Sequence, residues 1–341
     1  MPSDSTPTAA ETAPKGPPGI AVVVPCYRET SHIMGVLDTI GPEVSHIYVV
    51  DDACPDGTGD LVERTSKDPR VQVLRQARNT GVGGATMAGY RQALEDGWTI
   101  VVKLDGDGQM DGALIPRLVA PIAEGRADYA KGNRFHALHG VSEMPLTRIF
   151  GNLVLSLISK FSSGYWDILD PTNGFTAIHR TALGRLPLDR ISQGYYFESD
   201  MLFHLGLERA VVHDVPMIAR YGAEESGIRI PKVVPVFLFK HFANTCRRLW
   251  LTYFVRETNI ATLQLVLGLI LVAFGVIFGA INWIEGERSG IPATAGTVVL
   301  AALPIILGSQ SLIAFFSHDT RDLPTEPLQT LDSLEDPTVN G

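Results

Sequence analysis

The sequence predicts an α/β protein with a mostly parallel sheet, followed by amphipathic helices at a membrane surface and two transmembrane helices. Three observations predict it. Short apolar, β-branched runs alternate with helical spacing over the first hundred residues. Acidic residues close the second and fourth of those runs. The last quarter of the chain holds two long apolar stretches with no Asp, Glu, Lys or Arg.

Residues 20–26 (IAVVVPC) form a short apolar run that reads as a buried strand. Ile33, Val36, Leu37 and Ile40 give helical spacing within 31–41. IYVVDD (47–52) reads as the second strand, with Asp51 and Asp52 at its C-terminal end. A Pro-Asp-Gly turn and a helix over about 58–67 follow, and VQVLRQ (71–76) is the third strand. A Gly-rich turn opens a helix over about 82–96, and TIVVKLDGDG (99–108) is the fourth strand. In such sheets ligands bind beyond the carboxyl ends of the strands, so both acidic clusters fall on one binding edge. The middle of the chain is more mixed. It predicts helices near 146–163 and 197–209, a short segment DPTNGFTAIHR (170–180), and a strand within VVHDVPMIARY (211–221).

Two apolar runs, 260–284 and 291–317, are each long enough for a hydrocarbon core of about 30 Å. EGERSG (285–290) is expected to be a tight connection between them. Ahead of the first run, apolar and aromatic residues in 235–257 alternate with Lys240, Arg247, Arg248 and Arg256. That pattern predicts a helix lying in the membrane interface, and its cations place it on the cytosolic side. The N-terminal domain and both termini are then cytosolic. Residues 1–19 and 318–341 are polar and rich in Pro or acids, and both are expected to be tails without packed contacts. The expected organisation is a tail at 1–19, an α/β domain at 20–232, interface helices at 233–258, a two-helix hairpin at 259–317, and a tail at 318–341.

Composition excludes several classes. The chain of 341 residues, 45% hydrophobic and 19% charged, has length for about two units and is too apolar to be disordered overall. Cys26, Cys54 and Cys246 form no CxxC pair, which excludes a disulfide framework and a structural zinc site. A net charge of −9 argues against nucleic-acid binding. The histidines His32, His136, His139, His179, His204 and His213 do not fall at metal-ligand spacing.

The chemistry points to DGDGQ (105–109). Two carboxylates separated by one glycine can approach one hard cation, and a magnesium- or manganese-bound diphosphate suits them. RQARNTGVGGATMAGY (75–90) opens a helix with Arg78, Asn79 and glycines, whose backbone amides suit a phosphate. It does not follow the first strand, which excludes a dinucleotide-binding fingerprint. Cys26 and Cys54 lie near this pocket, but no His–Asp arrangement supports either as a nucleophile.

VVPCYRE (23–29), DDACPDGT (51–58), RNTGVGGA (78–85) and LDGDGQ (104–109) follow in order, then GNR (132–134), DPTNGF (170–175), FESD (197–200) and VPMIARYGAEESGI (215–228). With these motifs, residues 20–232 resemble a family-2 glycosyltransferase of GT-A fold. Within that family they resemble the polyprenyl-phosphate glycosyltransferases, the group containing dolichyl-phosphate mannose synthase and bacterial undecaprenyl-phosphate sugar transferases. The chain departs from the family pattern at Ala53 and Cys54, where Gly and Ser are usual, and at Arg28, where Asn is usual. It also has Ser226-Gly227 in place of a frequent Ser-Lys, with Arg229 the nearest cation.

The resemblance implies that Pro25, Tyr27, Glu29, Asp52 and Arg78 hold the nucleotide, with Asp105 also contacting it. It implies that Asp107 and Gln109 bind Mg2+ or Mn2+ with the diphosphate. Arg134, Arg148 and Arg229 would meet the lipid phosphate, and Asp170 or Glu198 would position groups or assist as base. The implied reaction is inverting, metal-dependent transfer of a sugar from a nucleotide-diphosphate sugar to polyprenyl phosphate at the cytosolic membrane face. A UDP-sugar is the favoured donor, with GDP-mannose the alternative. The other readings are transfer to another lipid acceptor, nucleotidyl transfer, and a membrane scaffold without catalysis. A processive polymer synthase is disfavoured because the chain has neither a QxxRW motif nor additional spans. A homo-oligomer is compatible with two spans, but no motif specifies one.

Overall fold

The computed structural model describes residues 19–135, 146–217 and 230–335. Among these residues, seven strands form one sheet: β1 (Ile20–Cys26), β2 (His46–Asp51), β3 (Val71–Arg75), β4 (Ile100–Lys103), β5 (Tyr129–Asn133), β6 (Thr176–His179) and β7 (Val212–Pro216). Their order is β3-β2-β1-β4-β6-β5-β7. β1 pairs in parallel with β2 and β4, β2 with β3, and β5 with β7, while β6 runs antiparallel between β4 and β5. The chain order reverses at β1, so a crevice opens at the carboxyl ends of β1 and β4.

Side-chain alternation builds two cores. Val22 and Val24 face one side with Ile47, Val49 and Val102, under α1 (Ile33–Asp38), α2 (Thr58–Thr65) and α4 (Ile115–Ala123). Ala21 and Val23 face the other with Tyr48 and Val101. There they pack under α3 (Gly81–Glu95), α6 (Arg180–Arg185) and α7 (Phe197–Leu207). Both faces are covered, which is why the central strands are continuously apolar. The fourth run is shorter than its sequence pattern implies, because the chain leaves the sheet after Lys103 and turns through DGDGQ.

α5 (Leu146–Ser163) and α8 (Ile230–Trp250) pack together beside the sheet, and a π-helical turn, Leu251–Arg256, extends α8. α8 inverts the rule for a water-facing helix. Phe239 is 72% and Phe242 68% exposed, whereas His241 and Arg248 are buried. Leu153 and Leu157 of α5 are exposed as well. An outward apolar face of this kind suits a membrane interface.

α9 (Ile260–Ser289) and α10 (Ala295–Asp319) are long and apolar enough to cross a membrane. They approach closely where Gly268 and Gly308 meet, since a Cβ at either would press on the other's carbonyl oxygen. The connection differs from expectation. EGERS continues α9 through Ser289, Gly290 ends the helix at φ +67°, and the turn spans 291–294. Glu285, Glu287 and Arg288 are good helix formers, so charge alone did not end the helix.

The expected unpacked tail from residue 318 fails for 318–335. α11 (Leu328–Glu335) docks on the second core, where Leu328 is buried and Leu323 and Leu331 pack against it. The buried Asp128 carboxylate accepts the backbone amides of Leu328, Gln329 and Val211. Gln329 Nε2 donates to the Ile122 and Ala127 carbonyls. Three leucines in a polar segment and one capping acid were enough to anchor it.

Candidate active site

The first group of candidate residues lies where β1, β2 and β4 end. Tyr27 is 40% exposed, Pro25 is buried, and Glu29 is half-buried. Arg28 and Ala53 both adopt left-handed backbone, at φ +66° and +53°. These are two of the positions where the sequence departs from Asn and Gly, the residues that tolerate this region best. The Arg28 amide donates to Cys54 Sγ at 3.1 Å, and the guanidinium sits 5.4 Å from the Tyr27 ring centroid, so the two loops are tied together. Ala53→Gly is expected to remove the strain at one of them and raise stability by about 0.5–1 kcal/mol, read as a higher melting temperature.

The paired acids after β2 have separate structural tasks. Asp51 accepts the Cys54 amide at 2.8 Å and the Gly59 amide at 3.0 Å, which fixes the loop into α2. Asp52 accepts Thr80 N and Oγ1 at 2.8 and 2.9 Å and Gly81 N at 2.8 Å, joining β2 to the start of α3. The expectation that the Gly-rich turn offers its amides to phosphate is therefore corrected. Gly83 N and Gly84 N donate to the Gln193 carbonyl at 2.8 and 3.3 Å. A Cβ at Gly83 would lie 2.5 Å from the Ser192 carbonyl oxygen, so this glycine admits the 192–193 loop. Arg78 is exposed on the preceding loop.

DGDGQ turns sharply at Gly108, φ +76°, and Asp107 Oδ1 accepts the Gln109 amide at 2.9 Å. Among the described residues no three His, Cys, Asp or Glu side chains converge as a metal site. Asp107 and Gln109 carry side-chain oxygens suited to a hard divalent cation, and both are partly exposed, so they could hold one if further ligands came from outside the chain. Asp105 has a different neighbour, with Lys103 Nζ 2.7 Å from its Oδ1. The same ammonium lies 3.5 Å from Glu198 Oε1 at the start of α7. Burial opposes the charge on Lys103, but Asp105 and Glu198 outweigh it and raise its pKa. Burial also raises the Glu198 carboxyl, with Lys103 only partly offsetting it.

A second group of candidate residues lies at the end of β5 and the turn before β6. Arg134 forks onto Asp170, Nε to Oδ2 at 2.7 Å and Nη2 to Oδ1 at 2.9 Å. Burial alone would raise the Asp170 carboxyl, but the Arg134 bonds and charge, helped by Lys131, hold it below its usual range. A carboxylate held this way is a weak base and a firm support for the guanidinium. Lys131 is fully buried and donates to the Asp170 carbonyl and, at 3.2 Å, to that of Asn173, which fixes the DPTNG turn. Arg148 lies on α5 and Arg229 just before α8; Arg229 and the Arg148 side chain fall outside the described residues.

One sheet edge thus gathers Tyr27, Glu29, Asp52, Asp105, Asp107 and the Arg134–Asp170 pair from separate elements. Sequence reasoning missed Lys103 and Lys131. Their signal is a lysine at an inward-facing position of an otherwise apolar strand, in IVVK and YAKGN. Cys26 is buried, and burial together with the charges of Glu29, Asp51 and Asp105 pushes its thiol far above the usual range, so it is no nucleophile.

Fold and site together define a glycosyltransferase, with a GT-A-like α/β domain followed by two helices apolar enough to cross a membrane. The Glycosyl transferase family 2 model matches residues 21–186. An undecaprenyl-phosphate mannosyltransferase of Micrococcus luteus is 34% identical over 203 residues, 58% of this chain and 82% of the relative. A polyprenol monophosphomannose synthase of Mycolicibacterium smegmatis is 33% identical, over 58% of this chain and 75% of its own. A UDP-N-acetylglucosamine–dolichyl-phosphate N-acetylglucosaminyltransferase of Methanococcus voltae is 28% identical, over 59% and 86%. The chain belongs to glycosyl transferase family 2. Among solved structures, glucosyl-3-phosphoglycerate synthase from Mycobacterium tuberculosis, in complex with UDP, shares the fold at TM-score 0.50 and 21% identity, covering 68% of this chain and 80% of that one.

Proposed function

We propose that this chain transfers a sugar, with inversion, from a nucleotide-diphosphate sugar to polyprenyl phosphate, giving a polyprenyl-phosphate sugar and a nucleoside diphosphate. The observation that carries this reading is one sheet edge holding both the DGDGQ carboxylates and the Arg134–Asp170 fork, linked to an outward-apolar helix. α7 makes that link: Glu198 faces Lys103, while Asp200 Oδ1 accepts Asn244 Nδ2 of α8 at 3.0 Å. The names of the relatives support a polyprenyl-phosphate acceptor.

The acceptor is a phosphate monoester, already anionic near neutral pH, so it needs cations more than a base. Arg134, braced by Asp170, would orient it, with Arg148 and Arg229 as further candidates. A phosphate oxygen attacks the anomeric carbon as the bond from that carbon to the diphosphate breaks on the opposite face. Pro25, Tyr27, Glu29, Arg78 and Asp105 would hold the nucleotide, with Asp52 shaping the pocket through its bonds to Thr80 and Gly81, and Asp107 with Gln109 would hold Mg2+ or Mn2+. That ion, when bound, offsets charge on the departing diphosphate. Lys240, Arg247, Arg248 and Arg256 favour a cytosolic catalytic domain.

The test is a panel of UDP- and GDP-sugars with short-chain polyprenyl phosphate and Mn2+ or Mg2+, scored for nucleoside diphosphate and lipid-linked sugar. One donor is expected to turn over, a UDP-sugar in first place and GDP-mannose as the alternative. Release of pyrophosphate would make the chain a nucleotidyltransferase. Binding of no nucleotide sugar would overturn the reading of DGDGQ.

A further inference from the structure

Lys103 is the last residue of β4, and its side chain is only 1% exposed. Fully buried lysines are rare and persist when paired. Its register partner on β6 is Thr176, which also pairs with Lys131 on β5. The three stand in one row across the sheet, beneath α7. Lys103 Nζ has two carboxylates from different elements: Asp105 Oδ1 at 2.7 Å and Glu198 Oε1 at 3.5 Å. Its third neighbour is the Phe197 ring, with the centroid 5.6 Å away. Gly174 completes the cradle, because a Cβ there would collide with both Asp105 Oδ2 and Lys103 Nζ.

The two acids of DGDGQ are therefore not equivalent. Asp105 has a permanent buried cation on one oxygen, which fixes its rotamer and offsets its charge. A divalent ion approaching Asp105 also meets a like charge at close range, in surroundings where screening is weak. Asp107 lies beyond Gly106, past the end of the strand that carries the lysine.

We propose that Lys103 is a positioning residue that divides the motif, holding Asp105 for the nucleotide and steering the divalent cation to Asp107. The proposal rests on the nucleotide-sugar reading of the site. It predicts that removing the lysine shifts two affinities in opposite directions. Asp105 loses its fixed orientation, so nucleotide binding weakens. Its charge is no longer offset, so the motif without nucleotide attracts Mn2+ more strongly.

The experiment uses the full chain in detergent, with Lys103→Met and Lys103→Gln, and melting temperatures as a folding check. UDP and GDP binding is measured by calorimetry in EDTA, and Mn2+ binding without nucleotide by electron paramagnetic resonance. Lys103→Met is expected to bind the wild-type chain's preferred nucleotide at least tenfold more weakly and Mn2+ at least threefold more tightly. Asp105→Asn added to Lys103→Met should abolish the Mn2+ gain. Lys103→Gln keeps a donor for Asp105, so it should retain more nucleotide affinity but show the same Mn2+ gain. It carries the test if the Met variant does not fold. Loss of both affinities together, or movement of neither, overturns the proposal, as does failure of both variants to fold, which would assign Lys103 to stability. If the wild-type chain binds neither UDP nor GDP, the nucleotide-sugar reading falls instead, and the Mn2+ comparison still judges Lys103.

Discussion

Asp107→Asn is expected to lower sugar transfer by at least about 10³-fold, a loss of about 4 kcal/mol of transition-state stabilisation. The melting temperature should stay within about 2 °C of wild type, because a near-isosteric change at a partly exposed turn disturbs little packing. The carboxamide keeps an oxygen that can accept the Gln109 amide, as Asp107 Oδ1 does at 2.9 Å, so the turn is retained. What it loses is the negative charge that attracts a divalent ion to the departing diphosphate. Asp105→Asn is a contrasting control. On the proposed reading Asp105, with Lys103 2.7 Å from its Oδ1, serves donor binding, and its loss should appear mainly in the KM for the donor. Assays at saturating donor and a range of Mn2+ concentrations separate the two. Full activity of Asp107→Asn in the absence of excess metal would remove this residue from the mechanism.

The sheet edge that carries the candidate nucleotide residues was legible because those residues lie at strand ends, where local pattern and position coincide. The short apolar, β-branched runs gave β1 to β3, and the acids following β2 and β4 marked the edge. The Gly-rich turn misled for a physical reason. A Gly-rich helix start looks the same in sequence whether its amides are free for a phosphate or bonded within the chain, and here the Gln193 carbonyl, over a hundred residues away, takes those of Gly83 and Gly84. β6 escaped notice because four residues, Thr176–His179, give too short a run to show alternation, and its antiparallel insertion depends on neighbours distant in sequence. Lys103 and Lys131 escaped for a similar reason: a lysine in an apolar run reads as exposed until the tertiary structure supplies its carboxylate or carbonyl partners. The packed C-terminus was missed because composition averages over the segment, whereas docking depends on a few leucines and on Asp128.

Asp319→Ala is expected to destabilise the chain by about 3–5 kcal/mol, the cost typical of breaking a buried ion pair from one side. Asp319 ends the second apolar helix and is almost fully buried. Its two oxygens accept Arg248 Nη1 and Nη2 at 2.7 and 2.9 Å, Tyr253 Oη at 2.7 Å and Trp166 Nε1 at 3.1 Å. Those donors come from the interface helix, the π-helical turn and the loop after α5, so one carboxylate joins the hairpin to the catalytic domain. Removal leaves the Arg248 charge buried, with the Phe161 carbonyl at 3.0 Å still accepting from its Nε. The change should appear as a lower melting temperature in one detergent and faster proteolysis in the segment between α8 and α9. Replacing both partners, as Arg248→Met with Asp319→Leu, should recover part of the loss, because a desolvated charge is no longer stranded. The recovery should be partial, since Tyr253 and Trp166 would still lack their acceptor. If Asp319→Ala melts with the wild type, the seam does not depend on this carboxylate, and the orientation of the sheet edge relative to the hairpin must come from its other contacts, such as Phe161 against Phe316 and Tyr253 against Phe315.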